Sequence, residues 1–376
     1  MSLVSHTSFQ TLVRRHKGEY KNRGFSCWKQ FLCMAIGQLT QRESINDTLL
    51  CLKAHTDKLY HLGIENVVAN STLTRANEGR SYRIYEELAM LLIKEAKKYY
   101  IDNTTPLQIE NNVFAIDSTI INLCLTTFHW ATFRTTKSGI KLHTQLDLKT
   151  SIPEFIWFSN ANVHDMYALD IINFEANGFY VLDRGYLDYQ RLYKIHLSNA
   201  FFITRAKCTM DCRRIKSFPK DKSKGIIYDQ SVLQNNYYPS TKYPDQMRRI
   251  KYFDEPTQKT FIFLTNNFHL EATEIALLYK NRWQIELFFK WIKQHLKIKS
   301  FWGFSENAVK TQIWIAISVY VIVAIAKKKF MLEQSLYEIV QILSVSVFEN
   351  VPINQLFQQT QVQYFKDLNY NQLNLF

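Results

Sequence analysis

Six residues carry the chemistry this sequence suggests: two acids that each follow an apolar run, and four polar groups on one helix. Asp117 follows VFAI and Asp183 follows FYVL. An acid closing a core strand lies at the rim of a sheet, where a metal ion and a substrate reach it. In an apolar setting such a carboxylate costs free energy unless something pairs with it, and a divalent cation is an efficient partner. Magnesium prefers oxygen ligands, and two ions about 3.5–4 Å apart can activate water on one side of a phosphodiester and stabilise the leaving oxygen on the other. The third acid, Glu286, sits in YKNRWQIELFFKWIK, which runs from Tyr279 to Lys293. Read as one helix at about 100° per residue, this stretch gathers Tyr279, Arg282, Glu286 and Lys293 into a sector about 60° wide. Trp283, Ile285, Phe288 and Ile292 are left for packing on its other sides. Arg282 and Glu286 alone would be an ordinary i,i+4 ion pair, a reading that leaves the two strand-end aspartates unexplained.

Those groups need elements to hold them. From about Phe25 to Tyr100 apolar residues recur every three or four positions in FSCWKQFLCMAIGQLT, SINDTLLCLKAH and RIYEELAMLLIKEAKKYY, which predicts helices. Between the last two lies NSTLTRANEGR, where Asn70 or Ser71 is placed to cap a short helix. Either a plain helical bundle or a helix-turn-helix-like DNA reader fits this pattern. After TTPLQ the texture turns to strands: NNVFAIDST, IKLHTQLDL and IPEFIWFS, then a helix in VHDMYALDIINFEA, the strand GFYVLDRGY, a helix in DYQRLYKIHLSN and the strand AFFITRA. That order predicts a mixed sheet covered by helices. KCTMDCRRIKSFPKDKSKG then sets seven cations, Arg213 and Arg214 among them, against two acids, and IIYDQSVL, QMRRIKYF and KTFIFLTN follow as further strands. The whole reads as a basic, β-rich insertion, after which a long helix begins at about Leu270.

Composition narrows the partner. In 376 residues, 46 Lys and Arg face 33 Asp and Glu, a net charge of +13 with a pI near 9.3. Such a surplus favours a polyanion, either nucleic acid or an acidic membrane surface. The fractions of 47% apolar and 21% charged residues exclude a disordered chain. Cys208 and Cys212 are the only closely spaced pair among six cysteines, and no second pair at zinc-finger spacing sits nearby, so reduced structural thiols in a cytoplasmic protein are expected. The N-terminus lacks the apolar core of a signal peptide. The apolar run Ile313–Ala326 has fourteen residues against the roughly 20 needed to span a bilayer, which points to a buried helix and no membrane role.

Asp117 in FAIDST, Asp183 in VLDRGY, and the spacing Y-x2-R-x3-E-x6-K from Tyr279 to Lys293 resemble the DDE transposases of bacterial insertion sequences, in the branch known as the IS-four family. The resemblance implies an α/β fold: a ribonuclease-H-like mixed-sheet catalytic core interrupted by a β-rich insertion, with a helical N-terminal domain and a helical C-terminal tail. The implied division is a DNA-binding domain over 1–105, the first part of the core over 106–206, the insertion over 207–264, catalytic-core helices over 265–330 and the tail over 331–376. Asp117, Asp183 and Glu286 would hold two Mg2+ or Mn2+ ions. Tyr279, Arg282 and Lys293 would contact phosphates near the scissile bond, with Arg213 and Arg214 extending the DNA track. The implied partners are double-stranded DNA, both terminal inverted repeats and target, and a second copy of the chain in a homodimer bridging two ends at the nucleoid. The implied activity is metal-dependent strand cleavage and strand transfer, and the alternatives are a nuclease of the same fold that joins nothing and a non-catalytic end-binding relative.

Further residues have simpler expectations. Asp188 suits a helix N-cap and Asp147 a surface or edge position, and His164 is not needed for proton transfer, because a two-metal site requires no protein base. Lys290, Lys297 and Lys299 either extend the DNA track or solvate the helix. No Trp lies between Lys207 and Leu264, so Phe218, Tyr237 or Tyr238 would be the aromatic of the insertion that stacks on a flipped base, if the hairpin step of some relatives occurs here.

Overall fold

Serine hydroxyls set the start of most long helices. Ser5, Ser26 and Ser44 accept the backbone N–H three residues on and open α1 (His6–Arg15), α2 (Cys27–Leu39) and α3 (Ile45–Ala54). α4 (Asn70–Gly79) follows Ala69 without a side-chain cap, so neither Asn70 nor Ser71 caps it, and α5 (Arg83–Tyr100) completes the N-terminal group. The computed structural model describes residues 3–20, 22, 24–100, 109–207, 209–295 and 301–357. In chain order there follow β1 (Val113–Leu123), β2 (Thr132–Arg134), β3 (Lys137–Asp147), β4 (Pro153–Asn160), α6 (Ala168–Ile171), β5 (Phe179–Leu182), α7 (Tyr189–Leu197), β6 (Phe201–Arg205), β7 (Cys212–Ser217), β8 (Ile226–Gln234), α8 (Tyr237–Lys242), β9 (Met247–Asp254) and β10 (Lys259–Thr265). The last elements are α9 (Ala272–Asn281), α10 (Trp283–His295), α11 (Glu306–Lys329) and α12 (Leu336–Ser346). The chain forms two compact units, one of residues 1–101 with 291–376 and one of residues 102–290.

The first unit is helical and is built round α11. This helix is long and apolar enough to cross a membrane, yet most of its apolar stretch is buried inside the protein, as befits the central helix of a bundle. α5, α2, α4 and α12 pack on it. The Ile313–Ala326 run is therefore core, as the sequence suggests. Several polar groups inside this unit are paired: Gln30 donates to Asn77, and Asn307 donates to the carbonyls of Asn77 and Arg80 at the end of α4.

The second unit holds one ten-stranded sheet in the order β2-β3-β1-β5-β6-β10-β9-β8-β7, with β4 on β3. β4, β3 and β1 run antiparallel, and β5 and β6 continue parallel to β1, which gives the ribonuclease-H-like core. The strands of 207–264 extend this same sheet, because Phe263–Thr265 of β10 pairs with Ile203–Arg205 of β6. α7 covers one face through Leu192 and Ile195, in a core with Phe114, Tyr180, Phe202 and Leu264.

Four local expectations need correction. Asp117 does not end its strand, since β1 runs on to Leu123 along β3. The helix expected from about Leu270 is two helices that meet at Arg282, where Arg282 N–H bonds Tyr279 O and Ile285 N–H bonds Arg282 O in tight three-residue steps. Asp147 is buried at the end of β3, where its oxygens accept from Lys149 N–H and Thr150 Oγ1 and fix the turn into β4. The helix expected over residues 163–176 shrinks to a 3-10 turn (Asp165–Tyr167) and the four residues of α6. Asp188 does cap α7, accepting from Arg191 N–H at 3.0 Å.

Candidate active site

The acids meet where a strand outlasts its neighbour. β1 and β5 pair in parallel from Val113↔Phe179 to Ile116↔Leu182, and the next residues are Asp117 and Asp183. The two carboxylates thus leave adjacent strands at the same level, at the carboxyl end of the parallel pair. The buried VFAI and FYVL runs anchor them from below. Glu286 arrives on the first turn of α10, and the break at Arg282 turns the guanidinium back toward the sheet. Arg282 Nη1 donates to Asp117 Oδ2 at 3.3 Å and Nη2 donates to Glu286 Oε1 at 2.5 Å, so one guanidinium bridges a strand acid and the helix acid.

Electrostatics mark Asp117 as the buried member. Burial pushes its carboxyl up to about 6, the neighbouring acids Asp183 and Glu286 push the same way, and the Ser118 N–H and Arg282 oppose them. Glu286 is the solvent-facing member, with 58% of its side chain exposed. Tyr279 packs its ring 4.9 Å from that of Phe263, and its hydroxyl is buried without a hydrogen-bond partner. Trp283, expected to pack, is instead 51% exposed beside Arg282.

Other expected residues lie elsewhere. Arg213 and Arg214 are exposed on β7, the last strand of the sheet, six strand steps from β1 and so roughly 29 Å away along the sheet. Lys293 is half-buried in the second half of α10, in the helical unit. Lys290 and His164 are exposed, and Lys297 and Lys299 lie outside the described residues. Tyr237 and Tyr238 on α8 are exposed, and Phe218 is half-buried. Cys27, Cys33, Cys51, Cys124 and Cys212 are free thiols, while Cys208 lies outside the described residues. Sequence reasoning missed a polar group behind Asp117, made of Ser118, Lys141 and Asp165. Its signal was Lys141 and His143 at alternate positions of β3, a strand buried along nearly its whole length.

The family described as "Transposase DDE domain" matches residues 109–322, a span that contains all three acids. The chain belongs to the DDE transposases. A domain of unknown function, DUF4372, matches residues 1–65 of this transposase. The transposase is 32% identical over 262 residues to a putative transposase of Sinorhizobium fredii, covering 68% of this chain and 71% of that one. It is 26% identical to a probable transposase for insertion sequence element IS5377 of Geobacillus stearothermophilus, over 67% of this chain and 66% of that one. In structure it is similar to a piggyBac transposase solved in a synaptic complex with hairpin DNA, with a TM-score of 0.47 and 12% identity over 98% of this chain and 83% of that one.

DDE transposases generally use divalent metal ions, and the donor set here suits them. Three carboxylates within electrostatic reach of one another, one of them held toward its neutral form by burial and by the other two, are a hard-oxygen site short of positive charge. Among the described residues no three such side chains close on a common point as they stand. Arg282 bonds two of them as their present counter-charge.

Proposed function

We propose that Asp117, Asp183 and Glu286 are the acids through which this transposase cuts and rejoins DNA at the terminal inverted repeats of an insertion sequence. The observation that carries the reading is that one guanidinium bonds Asp117 and Glu286 while Asp183, level with Asp117 on the adjacent strand, acts on the same Asp117 carboxylate. Two Mg2+ or Mn2+ ions held there would activate the attacking oxygen and stabilise the leaving one on opposite sides of a phosphodiester. Asp117 and Asp183 supply the rigid part of the site, since each directly follows a run of four buried strand residues. Glu286 supplies the adjustable part, reaching in from an exposed helical position. Arg282, once its carboxylates are neutralised by cations, would turn its two-pronged N–H edge to a phosphate, with Lys293 as a point charge and Tyr279 beside them.

Phosphate contacts place DNA without reading it. Recognition of the inverted repeats is therefore assigned to the helices of residues 1–105 and to the basic 207–264 segment with Arg213 and Arg214. The tail over 331–376 closes the proposed division. The Tyr-Arg-Glu-Lys spacing supports membership of the IS-four branch, cut-and-paste transposition, and a homodimer bridging two transposon ends in the cytoplasm at the nucleoid.

The test is Mn2+-dependent cleavage of a labelled duplex carrying the element's terminal repeat, comparing the wild type with Glu286→Gln. Nicking at the repeat that disappears in the variant, while end binding persists, is expected. Equal cleavage by both proteins would put the third ligand on another residue. Products released without new joints in a strand-transfer assay would reduce the enzyme to a nuclease.

A further inference from the structure

Behind Asp117 the transposase buries a lysine. Lys141 is 7% exposed and stands on β3 opposite Ile120 of β1. Its Nζ donates to Asp165 Oδ1 at 2.8 Å and to Val163 O at 2.6 Å. Ser118 Oγ donates to that same Asp165 oxygen at 2.6 Å, and Ser118 N–H donates to Asp117 Oδ1 at 2.8 Å. An unbroken polar chain therefore runs from Lys141 through Asp165 and Ser118 to the carboxylate of Asp117. The 3-10 turn that carries Asp165 also packs on the turn Arg184–Tyr186, which directly follows Asp183. The buried Tyr186 side chain lies beside Ser118 of this group.

Stability alone does not call for this arrangement, because a buried ion pair is often no better than apolar side chains of the same volume. Placement gives it a use. Beyond Ile116, β1 has lost β5 and pairs only with β3, so the peptide that aims Asp117 is held from one side. The bond from Ser118 to Asp165 supplies a second hold, from the face away from Arg282.

We propose that Asp165 and Lys141 are positioning residues that, through Ser118, fix the Asp117 carboxylate for metal binding. The proposal rests on the reading of Asp117 as a metal ligand. Outer partners of this kind set ligand orientation, and losing one typically costs 10–100-fold in metal affinity.

The experiment titrates Mn2+ into the full-length protein without DNA, reading free Mn2+ by its paramagnetic resonance signal, so that no turnover is involved. Ser118→Ala and Asp165→Asn are expected to weaken Mn2+ binding about tenfold or more. Ser118→Thr, which keeps the hydroxyl, is expected to bind as the wild type does. The double variant Asp165→Asn/Lys141→Met leaves no unpaired buried charge and is expected to unfold near the wild-type midpoint while still binding Mn2+ weakly. Wild-type affinity in Ser118→Ala, or affinity restored together with stability in the double variant, overturns the proposal and makes the group structural only. Asp117→Asn separates the two readings: it should lose Mn2+ binding outright, and if it binds like the wild type the ligand assignment itself is wrong.

Discussion

Asp117→Asn tests the buried carboxylate without any DNA. Folding lifts this carboxyl from 3.8 to about 6, chiefly by burial. At about 1.4 kcal/mol per unit, the ionised form is disfavoured in the folded protein by about 3 kcal/mol. The folded value is the higher one, so the stability contributed by the bound proton is fully present below the unfolded value of 3.8 and is lost as pH rises through about 6. Asparagine resembles the protonated acid at every pH. In a metal chelator, the variant should therefore match the wild type near pH 4 and exceed it by up to about 3 kcal/mol at pH 8. The side chain is 21% exposed, so solvent trims this figure only in part. Urea unfolding followed by circular dichroism at both pH values reads it directly. Adding Mn2+ should reverse the order at pH 8, because only the wild type gains from ligation. A variant less stable than the wild type at pH 8 in chelator, or a difference that does not change with pH, would refute the account of Asp117.

Three other outcomes follow from the geometry. Asp229→Ala should destabilise the protein by about 3–5 kcal/mol in urea unfolding, because it strands the buried Arg248 guanidinium now held by both Asp229 oxygens at 2.7 and 2.9 Å. A loss below about 1 kcal/mol would show that the pair is not structural. Lys293→Ala should weaken end binding and lower the slope of log affinity against log salt by about 0.9, and an unchanged slope would remove the phosphate contact. Bound DNA should shield Arg213 and Arg214 from trypsin, and equal digestion with and without DNA would place β7 off the DNA path.

What this sequence determined by itself were the properties that depend on a residue and its near neighbours. The apolar runs before Asp117 and Asp183, the cap at Asp188 and the serines that open α1, α2 and α3 are legible because propensity and capping act within a few positions. The i,i+4 relation of Arg282 and Glu286 is legible for the same reason, and it survives in the structure as an ion pair. Tertiary structure decided where these pieces end and what they face. Asp117 lies mid-strand because β1 runs on along β3, and it is left open on its other side because β5 is only four residues long. The break at Arg282 forms where the guanidinium bonds Asp117, and no residue in the local run announces it. Trp283 is exposed and Asp147 is buried, and the 207–264 strands join the main sheet because β10 pairs with β6 across the intervening chain. Lys141 shows the limit most clearly. A lysine at an alternate position of β3 reads locally as a solvent-facing residue of an alternating strand, and only the fold brings Asp165 and Ser118 to it and gives the buried charge its partners.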